Sequence, residues 1–314
     1  MISLAYVAKR LLQMIPTFLV VMIVIFTLIR LIPGDPASAL LGDRASDAEV
    51  ARKYQQLGLD KPVVVQFKIF VENLLKGDLG DSIVLKRPVM EIVGERLPVT
   101  LFLTAYSAIL AALMALPLAI LAALNRDRVF DHCVRIVAQL GLSSPVFFVG
   151  LILLTFLGAK LRWFPVGGYG DGFVQNLYFL FLPALTLGLF QSAILLRNLR
   201  SSMIEVLDAG YVDFAKAKGL RRRVLLTRYV LRNALIPTIN LFGLSMGFLI
   251  GGAVITETVF AIPGAGRLMV ESIFGRDYPV VQGLTLFLAL LVSVVFLITD
   301  LLLAWLDPRG GQKS

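Results

Sequence analysis

Long apolar segments alternate with polar loops along this chain, and six of the segments are long enough to cross a lipid bilayer. A helix that crosses the hydrocarbon core needs about 18 or more predominantly apolar residues. We therefore predict an all-α integral membrane protein with six membrane-spanning helices. The predicted spans are residues 11–29, 98–124, 134–159, 179–196, 235–256 and 280–305.

The longest connection between spans, residues 31–97, has helical patterns of its own. Residues 46–57 are predicted to form a short helix, and a second helix begins at Pro62 and ends at Gly77. Apolar residues of the second helix share one face, which we expect to pack on the bundle or to lie in the membrane interface. They are Val63, Phe67, Phe70, Val71 and Leu74.

These segments predict four parts of the chain. Residues 1–30 contain the first span, and residues 31–97 form a helical insertion. Residues 98–306 form a five-span core that includes a cytoplasmic loop at 197–233, and residues 307–314 form a tail.

Composition supports a membrane protein, since 58% of the residues are hydrophobic, 16% are charged and the mean hydropathy is +0.83. The net charge of +9 does not indicate binding to nucleic acid, which would need a basic face on a soluble domain. One cysteine, Cys133, excludes an intrachain disulfide, and one histidine, His132, excludes a His-based metal cluster.

The distribution of Lys and Arg predicts the orientation. With the N-terminus inside, the inner segments contain sixteen basic residues and the two short outer loops contain four. Excess Lys and Arg mark the cytoplasmic side of a membrane protein. Both termini are therefore predicted to be cytoplasmic, and the 31–97 insertion lies outside.

Motifs for nucleotide or hydrolytic chemistry are missing from the sequence. There is no G-x-x-x-x-G-K-[ST] phosphate loop, no G-x-S-x-G elbow and no H-E-x-x-H motif. Asp300 lies well inside a predicted span, where it either has a functional role or is reached by water or a basic residue near the cytoplasmic end. We predict that the chain is not an enzyme.

The cytoplasmic loop at 197–233 is longer than a simple helix connection, which has about 2–8 residues. Its centre, residues 205–219, is predicted to form a short helix that ends at Gly219. Tyr211 and Phe214 give this helix an aromatic face among charged residues. Such a face suits docking into a groove on another protein, and it suits equally a basic helix that lies on anionic lipid.

Gly243, Gly247 and Gly251 recur at every fourth position of the fifth span. This spacing removes side chains from one helix face and lets another backbone approach closely. The approaching element is either another helix of this chain, a partner subunit or a transported solute.

Four separated parts of the sequence resemble the transmembrane permease subunits of bacterial ABC importers, of the B-type in the dipeptide, oligopeptide and nickel class. They are LIPGDP at 31–36, GDLGDS at 77–82, AKAKG at 215–219 with RNALIP at 232–237, and ETVFAIPGAG at 257–266 with RDYPVVQG at 276–283. Permeases of this kind share a cytoplasmic signature, E-A-A-x3-G-x9-I-x-L-P. Here Asp213 stands for the Glu, and Pro237 follows Gly219 by 18 residues instead of 13.

The resemblance implies the type I ABC importer permease fold and a coupling helix that docks on an ATPase. The docking residues would be Glu205, Tyr211, Asp213, Phe214, Ala215, Ala217 and Gly219. The fifth span would line the translocation path and contact a second permease through Gly243, Ser245, Gly247, Gly251 and Thr256. A periplasmic binding protein would face Gly168, Tyr169, Glu257 and Arg267.

The implied partners are a C-type permease, two ABC ATPases that bind ATP and Mg, a periplasmic substrate-binding protein and the lipid bilayer of the bacterial inner membrane. No cofactor is expected in this chain. The expected solute is a dipeptide or oligopeptide, with glutathione or a nickel chelate as the alternative in the same architecture. A stand-alone secondary transporter is the remaining alternative, and it would show paired ionisable groups or broken helices at mid-membrane.

Overall fold

The computed structural model describes residues 4–31 and 61–306, and these ranges form helices joined by loops. The predicted helix at 46–57 lies outside the described residues. The first five helices are α1 (Leu4–Leu31), α2 (Val63–Leu75), α3 (Val89–Leu124), α4 (Val129–Ser143) and α5 (Val146–Lys160). The others are α6 (Phe173–Phe179), α7 (Phe181–Leu207), α8 (Gly210–Ala217), α9 (Arg222–Val259), α10 (Ala265–Phe274) and α11 (Tyr278–Leu306).

Five helices in the described ranges are long and apolar enough to cross a membrane: α1, α3, α7, α9 and α11. Helices α4 and α5 pass the same test only when they are taken together as one bent span. The all-α architecture with up to six spans is thus confirmed. Several helices extend past the predicted spans, because a helix continues through polar turns after it leaves the apolar region.

The prediction of one continuous third span at 134–159 is wrong. Helices α4 and α5 meet at an angle of 103°. Ser144 at the junction has extended backbone angles, φ −89° and ψ 132°. The cause is Pro145, because a proline has no N–H to donate and disfavours helical geometry in the residue before it.

The most extensive contact in the bundle is between α3 and α7. A stripe of small, fully buried residues on α3 makes this contact close. The stripe consists of Thr104, Ser107, Ala111, Ala115 and Ala119. Gly188 of α7 faces it, and a Cβ atom at that position would lie 3.2 Å from the backbone oxygen of Ser107.

Helix α2 packs on the first span, as its apolar face predicts. The ring of Phe26 in α1 lies 5.1 Å from that of Phe67 and 5.8 Å from that of Phe70, measured between centroids. At the other end of α1, Nη1 of Arg10 lies 3.2 Å from Oδ2 of Asp300 in α11. A basic residue therefore reaches Asp300, and the structural interpretation of this carboxylate is the right one.

A buried ion pair fixes α4 to α7. The carboxylate of Asp131 is fully buried and accepts hydrogen bonds from Nε and Nη2 of Arg200. It also accepts the backbone N–H of Asp127 at 3.1 Å. This pair holds the first turn of α4 against the cytoplasmic part of α7.

Replacement of Asp131 by Asn should lower the free energy of unfolding by about 3–5 kcal/mol, because Arg200 loses its buried partner. The matched control is Asp208→Asn, which removes an exposed partner of Arg126 and should cost about 1 kcal/mol or less. Thermal unfolding of the full chain in detergent measures both variants. Equal losses of stability in the two variants would contradict the role of the buried pair.

Candidate functional site

The predicted helix at 205–219 is two elements rather than one. Glu205 lies in the last turns of α7, which ends at Leu207, and Ala209 is extended with φ −79° and ψ 136°. Helix α8 then begins at Gly210. Gly210 has a low helix propensity, which favours a break at this point. Next to the break, Oδ2 of Asp208 lies 2.8 Å from Nη1 of Arg126.

Gly219 ends α8 in the way that the sequence predicts. Its φ is +75°, and the backbone N–H of Leu220 donates to the carbonyl of Ala215 across the turn at 3.3 Å. Glycine adopts this left-handed conformation without the strain that a side chain would bring.

Helix α8 has one face inside the protein and one face outside. Val212 and Ala215 are buried in the same apolar cluster as Leu199 and Met203 of α7 and Val230 of α9. Among the predicted docking residues, Ala215 thus faces inward and positions the helix. The residues at the surface are Glu205, Tyr211, Asp213, Phe214, Ala217 and Gly219.

The outer face of α8 exposes an aromatic surface. Phe214 is 62% exposed and Tyr211 is 46% exposed. Nζ of Lys218 lies 4.6 Å from the centre of the Phe214 ring, and Nζ of Lys216 lies 2.8 Å from Oδ1 of Asp213. Large exposed apolar side chains on a short helix whose other face packs in the core are typical of a protein-docking surface.

Close packing within the chain accounts for Gly243. A Cβ atom at Gly243 would lie 2.3 Å from Cγ2 of Thr299 in α11, so this glycine lets two helices of the same chain meet. The same atom at Gly247 would lie 3.9 Å from Cγ1 of Val292. Gly251 faces open space. Of the three glycines, Gly251 is the one whose surface stays free for a partner or a solute.

Ser245 and Thr256 do not line an open surface, contrary to the prediction. Both are buried. Ser245 accepts a hydrogen bond from the side-chain amide of Gln191 in α7, and Thr256 donates to the carbonyl of Gly252 at 3.0 Å. These residues lie on the side of α9 that packs against the bundle.

The open side of α9 is an apolar stripe of which only Gly251 was predicted from the sequence. It comprises Leu244, Phe248, Gly251 and Ile255, which recur at helical spacing. Phe248 is 79% exposed. In a membrane protein almost every helix face is apolar, so the sequence pattern does not separate the exposed stripe of α9 from its buried face. The contacts between helices in the structure do separate them.

Glu257 is fully buried and does not face a partner, so its predicted role at the binding-protein surface is wrong. Its carboxylate accepts the hydroxyl of Thr100 at 2.6 Å and the backbone N–H of Arg267 at 2.9 Å. Glu257 caps local backbone instead, because the start of α10 supplies free N–H groups and a positive dipole end. Arg267 itself is half-buried and binds Glu271 at 2.8 Å.

Gly168 and Tyr169 belong to a loop that packs on the end of α9. The backbone N–H of Gly168 donates to the carbonyl of Phe260 at 3.2 Å, and Gly168 has a φ of +97°. Tyr169 is half-buried against an apolar cluster that contains Phe260. Trp163, in the same loop, is 61% exposed.

A third buried carboxylate, that of Asp277, joins two of the segments that carry the family resemblance. Oδ2 of Asp277 accepts the hydroxyl of Ser82 at 2.5 Å, and Oδ1 accepts the backbone N–H of Ile83 at 3.0 Å. The sequence alone does not show that these two segments meet. The one sequence signal for this contact is that the segments 77–82 and 276–283 occur together in the chain. A buried aspartate needs hydrogen-bond donors, and here they come from a distant part of the chain.

Gly243→Leu should destabilise the bundle, because the new side chain enters the space of Thr299. Overpacking of this kind costs about 1–3 kcal/mol. The matched control is Gly251→Leu, which has no neighbour within 4 Å of the new Cβ atom and should melt like the wild type. Thermal melting in detergent compares the two, and equal melting temperatures would contradict this assignment of the two glycines.

Comparison with known proteins gives two family matches. Residues 115–311 match the family described as "Binding-protein-dependent transport system inner membrane component". Residues 3–104 match the family that describes the N-terminal part of such membrane components. Together the two matches extend over most of the chain.

Curated relatives are similar over nearly their whole length. The glutathione transport system permease protein GsiC of Salmonella typhimurium (strain LT2) is 40% identical, over 98% of this chain and 99% of the relative. The "Probable D,D-dipeptide transport system permease protein DdpB" of Escherichia coli (strain K12) is 42% identical, over 93% of each.

Solved structures share the fold at low identity. A chain of the MetNI methionine ABC transporter, in inward-facing conformations, has a TM-score of 0.58 at 16% identity, with 69% of this chain and 97% of that chain covered. An amino acid ABC transporter has a TM-score of 0.50 at 16% identity, with 70% and 94% covered. Because the two family matches cover residues 3–104 and 115–311, this chain belongs to the family of binding-protein-dependent transport system inner membrane components.

Proposed function

We propose that this chain forms half of the membrane pathway of an ATP-driven importer for peptide-like solutes. The observation that carries the proposal is α8, whose buried side joins the core of the bundle and whose outer side exposes Tyr211 and Phe214. The family match and the relatives that are named as permeases for glutathione and D,D-dipeptides support it.

In this proposal α8 is the coupling helix. Two ABC ATPases bind ATP and Mg on the cytoplasmic side, and one of them accepts Phe214 and Tyr211 in a groove. Because Val212 and Ala215 are packed in one cluster with α7 and α9, closure of the ATPases moves these spans as a rigid body. Such movement alternates the access of the pathway between the two sides of the membrane.

The pathway itself lies along the open stripe of α9. Leu244, Phe248, Gly251 and Ile255 turn away from α7 and α11, so they are free to contact a second, C-type permease and to border the solute. This assignment moves the predicted pathway from Ser245 and Thr256 to their exposed neighbours.

On the outer side, a periplasmic binding protein delivers the solute. The exposed ring of Trp163 and the half-buried guanidinium of Arg267 belong to the loop and the helix that flank the outer end of α9. The carboxylates of Glu257 and Asp277 hold this surface in place from inside. Selection among dipeptides, longer peptides, glutathione and nickel chelates then belongs mainly to the binding protein.

A stand-alone secondary transporter would also show broken helices such as the bend between α4 and α5, but it is less consistent with the ionisable groups. Its coupling would need an ionisable group free to exchange protons or ions at mid-membrane. Asp300, the carboxylate that suggested this alternative, forms a salt bridge with Arg10 near the cytoplasmic end of its helix.

Phe214→Ala should release the ATPase from the solubilised importer. A central aromatic anchor contributes about 2 kcal/mol or more to an interface, so the affinity should fall about thirtyfold. Co-purification of ATPase subunits with the tagged chain measures the effect. Gly219→Pro should act in the same direction, because proline cannot adopt a φ of +75°.

The matched control is Phe173→Ala, which removes a phenylalanine of similar exposure from the opposite end of the bundle. It should leave recovery of the ATPase unchanged. If both phenylalanine variants retain the ATPase, α8 is not its docking site. If the wild-type chain purifies alone and still supports uptake without ATP, the secondary transporter is the better account.

A further inference from the structure

A polar cleft of about 810 Å³ lies between α4 and α7 at the cytoplasmic end of the bundle. This volume is in the range of pockets that hold small molecules. Charged residues of both signs line it, and Gln139 and Ser201 add uncharged polar groups. The charged residues are Arg126, Asp127, Arg135, Arg197, Arg200 and Glu205.

Three of these charged residues have partners inside the structure. Arg126 lies between two carboxylates, with Nε 3.4 Å from Oδ2 of Asp127 and Nη1 2.8 Å from Oδ2 of Asp208. Arg200 binds the buried carboxylate of Asp131. These contacts hold α4 and the loop before it against α7, and they do not need a ligand.

The other three charged residues have no such partner. Within residues 4–31 and 61–306, Arg135, Arg197 and Glu205 form no salt bridge. Their side chains are exposed to solvent in the cleft. Two positive charges and one negative charge are therefore available to a ligand.

The two arginines lie at the same end of the cleft. Helix α4 runs antiparallel to α7, because its first turn pairs Asp131 with Arg200 and its last turn packs against Ala193. Arg135 follows Asp131 by four residues and Arg197 precedes Arg200 by three. Arg135 and Arg197 are thus at the same level, one on each wall.

The opposite end of the cleft is acidic. Glu205 follows Arg197 by eight residues on α7, which is about 12 Å along the helix. At this end Arg126 is shared by two carboxylates, so it does not compensate Glu205 as well. The cleft therefore has a positive end and a negative end that are about 12 Å apart.

We propose that this cleft binds a short zwitterionic peptide of two or three residues. Its carboxylate lies between Arg135 and Arg197, since guanidinium groups bind carboxylates through paired N–H donors, and its ammonium group lies at Glu205. An extended tripeptide is about 10 Å long, which fits the separation of the two ends. A ligand that carries only negative charge would be repelled by Glu205.

The source of such a peptide rests on the proposed function, in which peptide-like solutes arrive on the cytoplasmic side. The cleft is thus a site for the imported product rather than for the solute outside. It lies next to Asp208, at the turn that leads into α8.

Protection of a thiol in the cleft tests the site in the full chain, purified with its accompanying subunits. Ser201→Cys in a Cys133→Ala background places one reactive thiol there, and trialanine should slow its alkylation by a maleimide. Arg197→Gln and Glu205→Gln should each weaken this protection about fivefold. The matched control is Arg128→Gln, an exposed arginine outside the cleft, which should keep the wild-type affinity.

Two modified peptides test the orientation by double-mutant cycles. N-acetyl-trialanine has no ammonium group, so Glu205→Gln should not weaken its binding. Trialanine amide has no carboxylate, so Arg197→Gln should not weaken its binding. A side chain with only a structural role would affect all three peptides equally. His132→Cys, also in the lining, replaces the Ser201→Cys reporter if that variant does not fold.

Equal protection by the three peptides, protection by inorganic phosphate as strong as by trialanine, or unchanged protection in the cleft variants would overturn the proposal. Uptake of trialanine into proteoliposomes that contain the importer and its binding protein is measured separately. Uptake without protection of the thiol overturns the cleft site and leaves the proposed function. Protection without uptake supports the site and contradicts the peptide solute of the proposed function.

Discussion

The close packing of α3 against α7 is the contact on which the rest of the molecule depends. Small buried residues along α3 let α7 approach, and Gly188 brings the two backbones nearest. Helix α7 then carries two functional elements at its cytoplasmic part: Arg200, which fixes α4, and the turn at Asp208 that leads into α8. The position of the coupling segment is thereby fixed relative to the membrane-spanning core.

In this fold, buried carboxylates stabilise loops and helix ends, whereas exposed apolar residues form the surfaces that are left for partners. The carboxylates of Asp131, Glu257 and Asp277 are all inside, where each accepts a hydrogen bond from a side chain of another segment. They fix loops and helix ends, and no acid–base chemistry is required of them. The surfaces left for partners are instead aromatic and aliphatic, at Phe214 on α8 and Phe248 on α9.

Hydrophobic periodicity was enough to predict the spans, the amphipathic helix α2 and the end of α8 at Gly219, because length and apolar pattern determine them. It failed where one local residue overrides the pattern: Pro145 bends the third span, and Gly210 separates α8 from α7. It also could not assign Gly243 and Glu257, since the partner atoms lie on helices far away in sequence. Burial of a particular face depends on these long-range contacts.

The central claim is that Phe214 binds in a groove of a partner ATPase. A photo-crosslinking amino acid at position 214 tests this claim directly in intact cells. The account predicts a crosslink to an ABC ATPase subunit that is stronger than the product from the same probe at position 173. Crosslinks to lipid alone would contradict it, and would instead place α8 on the membrane surface.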